Sequence, residues 1–105
     1  MKTKQDIFQA IADPTRRAIL TLIAIQALTP NAMSEKFEMS RQAVSKHIKV
    51  LQDCDLIKPE HAGREIYYHF NPKKMQELDH WLAQFRKIWE QRYNFLKPDR
   101  TETNI

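Results

Sequence analysis

The stretch SRQAVSKHIKVLQDCDLI, residues 40–57, decides how the rest of the chain reads. Val44, Ile48 and Leu51 recur at i, i+4 and i+7, the apolar stripe of a helix seated on a core. Arg41, Gln42, Ser45, Lys46 and Lys49 fall on the opposite face. Ser40 precedes the pattern, where a side-chain oxygen accepts an N–H of the first turn. The spacing predicts a helix over 41–53. Its outward face is basic: between Ser40 and Gln52 stand Arg41, Lys46 and Lys49 and no acid. A merely solvated helix face carries such charges too, so the neighbouring segments must decide between the two readings.

Upstream, Thr29-Pro30 places a capping residue before a proline at the first helical position. It opens a short helix over 30–37, with Met33 and Phe37 four apart. Only Glu38-Met39 separates that helix from Ser40, and Ser34 is small where the two helices approach. Two helices joined so tightly, the second polar on its outer face, form a helix-turn-helix. Asp13-Pro14 opens a helix over 14–27, whose Ile19, Leu20, Leu22 and Ile23 make the broad apolar face of a central core helix. Segment 3–12 carries Ile7, Phe8 and Ile11 at helical spacing.

Downstream the periodicity changes. Leu56-Ile57-Lys58-Pro59 and Glu65-Ile66-Tyr67-Tyr68-His69-Phe70 are short, β-branched and aromatic, and flank the turn-like stretch 60–64. They read as a β-hairpin with Ile66, Tyr68 and Phe70 on one face, Tyr67 and His69 on the other. A hairpin directly after a helix-turn-helix is a wing. Asn71-Pro72 then opens a long helix over 72–96. It carries Leu78, Leu82, Phe85, Trp89 and Leu96 along one stripe, widened by Trp81, Ile88 and Phe95. The expected fold is mainly α with a small β-hairpin: a winged helix-turn-helix in one domain over residues 1–97. Residues 98–105 lack periodicity and are expected to be a disordered tail.

Composition excludes much else. The chain has 105 residues, one domain's worth, with 17 Lys and Arg against 13 Asp and Glu. Its one glycine, Gly63, rules out a glycine-rich phosphate loop. Its one cysteine, Cys54, rules out an internal disulfide and a Cys-rich zinc module. No run of about 18 apolar residues spans a membrane. The start MKTKQDIF lacks the apolar run and cleavage site of a signal peptide, so a cytoplasmic location is expected. His47, Asp53 and Cys54 are close in sequence, but their helical spacing sets up no nucleophile and base. No enzyme and no cofactor are expected.

Together DPTRRAIL (13–20), SRQAVSKHIKVLQDCDLI (40–57) and GREIYYHFNP (63–72) resemble the ArsR family of bacterial winged-helix repressors, over about residues 5–95. The resemblance implies a homodimer that pairs through its first and last helices and binds an inverted-repeat operator in double-stranded DNA. It also implies a check for metal ligands. Arsenic- and cadmium-sensing members keep a cysteine pair at about residues 32–38, where this chain has none. Zinc-sensing members keep an Asp-x-His and a distant pair on the last helix. Here Asp79 is followed two residues later by Trp81, and no histidine follows His80. The chain resembles the branch without metal ligands, its effector unknown. It departs from the family pattern at Cys54-Asp55, where Ala-Gly is usual. Asp tolerates a left-handed backbone, so the helix can still end there.

The residues then take expected roles. Ser40 caps the recognition helix. Arg41, Gln42, Ser45, Lys46 and Lys49 face the major groove, where Gln suits adenine and Arg or Lys suits guanine. Arg64 at the wing tip reaches the minor groove or a phosphate. Ile7, Phe8, Ile11, Trp81, Phe85, Ile88 and Trp89 form the dimer face. His47 is expected to be packed at the border of the buried face, and Cys54 to be a structural thiol. Arg16 and Arg17, at a helix N-terminus that disfavours cations, call for a partner: a carboxylate on another element or a phosphate. Two other classes compete with the DNA-binding repressor. One is a ligand-gated sensor with a metal or organic effector, and the other is a winged-helix protein-interaction module, which needs no acid-free basic helix.

Overall fold

The computed structural model describes residues 6–96, the last four as helix backbone without side chains. The elements run α1 (Ile7–Ala10), α2 (Pro14–Ile25), α3 (Pro30–Phe37), α4 (Arg41–Asp53), β1 (Ile57–Ala62), β2 (Glu65–Phe70) and α5 (Pro72–Leu96). The expected helical start at residue 3, the Phe95 side chain and the tail lie outside the described residues.

The helix starts follow the local chemistry. Asp13 Oδ2 accepts the Arg16 N–H at 2.9 Å, Thr29 Oγ1 accepts that of Ala32 at 3.1 Å, and Ser40 Oγ accepts that of Ala43 at 3.1 Å. Each offsets one of the orphan donors of a first turn. The Arg16 N–H and, less strongly, the Arg16 charge hold the Asp13 carboxyl below its ordinary value.

Two helices end on a left-handed residue that is not glycine: Glu38 at φ 51° and Asp55 at φ 65°. Both ends close in the same double-bonded loop. Met39 N–H reaches Ser34 O at 3.1 Å and Glu38 N–H reaches Glu35 O at 3.4 Å; after α4, Leu56 N–H reaches Leu51 O and Asp55 N–H reaches Gln52 O, each at 3.0 Å. Asp55 thus ends the helix as expected of it. Ser34 does more than leave space, since its hydroxyl donates to Met39 O at 2.6 Å and latches the turn between α3 and α4.

The hairpin is tighter than the sequence suggested. Ala62 pairs with Glu65, so the turn is Gly63-Arg64 alone and not 60–64. Gly63, at φ 62°, supplies the positive φ needed at the first position of a two-residue hairpin turn. Pro59 is tolerated because β1 is an edge strand with a free side. A third, one-residue strand escaped the periodicity. Leu28 exchanges two backbone bonds with Tyr68, at 3.2 and 2.9 Å, and ties the α2–α3 connection to β2.

The core gathers Ile7, Ile19, Ile23, Met33, Val44, Leu51, Leu56 and Ile57, all fully buried. Ile7, expected on the dimer face, points inward instead: its 1% exposure leaves nothing to offer a partner. Cys54 is buried, its thiol donating to Leu51 O at 3.4 Å, and burial pushes its pKa up. Arg16 and Arg17 turn to backbone carbonyls and not to a carboxylate on another element. Arg16 donates to Ala10 O (2.7 Å) and Gln9 O (3.2 Å), and Arg17 to Ile11 O (2.8 Å) and Ala12 O (3.3 Å). The pair caps the carbonyl end of α1, where cations are favoured.

α5 leaves the body of the molecule. Asn71 joins it to the end of α4, with its amide donating to Asp55 O at 2.8 Å and its backbone N–H to Leu56 O at 2.9 Å. Met75 and Leu78 pack on the core, but Trp81, Leu82, Phe85 and Ile88 are 39–53% exposed. Within the chain, α5 packs against α1. The projecting helix gives a radius of gyration of 17.9 Å, against about 13 Å for a compact domain of 100 residues.

Candidate nucleic-acid interface

The outer face of α4 is set by what its inner face buries. Val44, Ile48 and Leu51 are at most 5% exposed, which fixes the rotation of the helix. Ser40, Arg41, Gln42, Ser45, Lys46 and Lys49 are consequently all exposed, on one continuous surface. His47 is half-buried at its border. A groove runs beside this face, walled by Pro30 of α3, by Arg41, Ser45, Lys49 and Gln52 of α4, and by Ile66 and Tyr68 of β2. Arg64 is exposed at the wing tip.

Two of the cations are already held. Lys49 Nζ lies 3.4 Å from Asp53 Oδ2, one turn along the helix. Arg41 Nη1 donates to Asn31 Oδ1, on the first turn of α3. Asn31 was not singled out from the sequence, and Pro30 was read only as a helix start. The only signal was their place after a capping threonine, on the exposed first turn of the helix that precedes the basic one. The outer face of the wing carries a further pair, His69 Nε2 and Glu60 Oε1, 2.6 Å apart.

The second surface is apolar. Phe8 of α1 meets Trp81 of α5 edge to face, with ring centroids 5.2 Å apart, and Trp81 meets Phe85 at 4.6 Å. Ile88 and Trp89 continue the stripe at 53% and 68% exposure, while Ile11 is half-buried against the core.

Comparison with known proteins places this geometry. A helix-turn-helix domain model matches residues 11–60. The transcriptional repressor SdpR of Bacillus subtilis is 34% identical over 80 residues, which cover 76% of this chain and 89% of that protein. The chain belongs to the ArsR family. Among solved structures, an ArsR family transcriptional regulator is 33% identical with a TM-score of 0.71, over 80% of this chain and 92% of that one. An ArsR-like regulator from Rhodococcus is 29% identical with a TM-score of 0.70, over 88% and 87%. The fold is thus the winged helix-turn-helix of a family of DNA-binding transcriptional regulators.

Among the described residues no three His, Cys, Asp or Glu side chains come together to hold an ion. The lone thiol is buried. No helix among those residues is long and apolar enough to cross a membrane.

Proposed function

We propose that the chain is a homodimeric transcriptional repressor that binds an inverted-repeat operator in cytoplasmic DNA. The observation that carries this reading is the exposed, acid-free face from Ser40 to Lys49, held outward by the burial of Val44, Ile48 and Leu51. In the major groove Gln42 pairs with adenine, and Arg41 or Lys46 with guanine. Lys49, Ser45 and the Ser40-capped helix start neutralise or hydrogen-bond phosphates, while Arg64 carries the wing into the flanking minor groove.

Phe8, Ile11, Trp81, Phe85, Ile88 and Trp89 form the dimer face. A soluble monomer of this size avoids so large an apolar patch, and a second copy covers it by isologous pairing. Pairing also sets two recognition helices about 34 Å apart, one turn of DNA. The family member SdpR, named a repressor, supports the direction of control.

The test is selection of bound sequences from random duplex DNA, followed by gel shifts in titrated salt. An inverted repeat bound with steep salt dependence is expected. Recovery of no sequence preference at low salt would overturn the reading.

A further inference from the structure

Asn31 sits outside the recognition helix and outside every role assigned above, yet it holds one of that helix's cations. Arg41 stands at the first position of α4, where the N-terminal partial charge gives a cation no local reward. Left alone, its long side chain keeps rotamer freedom that DNA binding would have to remove. Its Nη1 instead donates to Asn31 Oδ1. The orientation of the Asn31 amide follows from chemistry, because a guanidinium has only donors to offer.

Both ends of this link rest on a rigid frame. Asn31 follows Pro30 on a helix start capped by Thr29. α3 is latched to the start of α4 by the Ser34 hydroxyl on Met39 O and the Met39 N–H on Ser34 O. The partner is also neutral. Lys49 is paired with a carboxylate, Asp53, which competes with any phosphate for it. Asn31 fixes the direction of Arg41 without cancelling its charge, and leaves four of the five guanidinium N–H groups for another acceptor.

We infer that Asn31 is a positioning residue for DNA recognition, ordering Arg41 toward the operator while preserving its full charge. This rests on the DNA-binding reading above. Pre-ordering one rotamer-rich side chain corresponds to about a three- to tenfold gain in affinity.

The experiment is a double-mutant cycle on the selected operator, with Asn31→Ala, Arg41→Ala and the double variant, beside the isosteric Asn31→Asp. Asn31→Ala is expected to weaken binding about three- to tenfold, with the thermal midpoint and the salt slope unchanged, and to have no effect once Arg41 is Ala. Asn31→Asp keeps the acceptor but neutralises the guanidinium, so it should bind more weakly still, with the salt slope shallower by about one ion. In the free protein, 15N relaxation of the Arg41 side chain should show greater disorder in Asn31→Ala than in wild type. Equal losses from Asn31→Ala with and without Arg41, or no loss at all, would overturn the inference while leaving DNA binding intact. A wild-type protein that selects no DNA would instead refute the reading on which it rests.

Discussion

Replacing Trp81 and Ile88 by glutamate tests the exposed apolar face of α5. Trp81 is 43% and Ile88 53% exposed, with Phe8 at 40% and Phe85 at 50% on the same face. With aromatic side chains of about 150–250 Å² each, the stripe on α1 and α5 presents on the order of 600 Å² of apolar surface per protomer. Two copies would remove about twice that from water, roughly the 1,200–2,000 Å² of a specific protein–protein interface. Two buried, unpaired carboxylates per protomer each cost several kcal/mol, so Trp81→Glu with Ile88→Glu should raise the dimer dissociation constant by at least about a thousandfold, some 4 kcal/mol. Sedimentation velocity at micromolar concentration should show wild-type dimers and variant monomers. Both positions are exposed in the single chain, so circular dichroism should find the variant folded. A folded variant that stays dimeric at wild-type affinity would refute the placement of the interface.

Other consequences are separable. Lys49→Ala should weaken binding to all sequences alike and lower the salt slope by about one, whereas Gln42→Ala should relax one base position by about 1–3 kcal/mol, both read by fluorescence anisotropy on operator variants. Glu38→Gly and Asp55→Gly should each raise the unfolding free energy by up to about 1 kcal/mol in urea melts, because both positions are left-handed. The Asp13 carboxyl lies below its ordinary value of 3.8 in the folded chain. Its contribution to stability is therefore complete above that value and is lost as pH falls through the lowered one; acid titration of Asp13→Asn should lack that component of the loss. Zinc, cadmium or arsenite should change operator affinity by less than about 1 kcal/mol, below typical allosteric couplings, as gel shifts with and without chelator would show.

The features legible in the sequence are those set by near neighbours. Asp13, Thr29 and Ser40 cap the helices that follow them because the acceptor and the orphan N–H are three residues apart. The rotation of α4 follows from three apolar residues on one stripe. Tyr68 turns inward with Ile66 and Phe70 because strand alternation leaves no other choice. The contacts that stayed hidden join elements with no shared period. Leu28 pairs with Tyr68 across forty residues as a single rung, too short to leave a pattern. Arg16 and Arg17 reach backward to carbonyls, which any sequence supplies, so no partner residue marks them. Ile7 and Phe8 are adjacent and both apolar. In the fold Ile7 is buried in the core while Phe8 stays exposed beside Trp81 of α5.

A hydroxyl-radical footprint of the wild-type protein on its selected operator addresses the central claim most directly. Two recognition helices on a dimer should protect two half-sites about 10 base pairs apart, centre to centre, on an inverted repeat. Wing contacts by Arg64 should extend the protection outward at both ends. Protection of a single half-site at saturation, or uniform protection without a repeat, would contradict a dimeric winged-helix repressor.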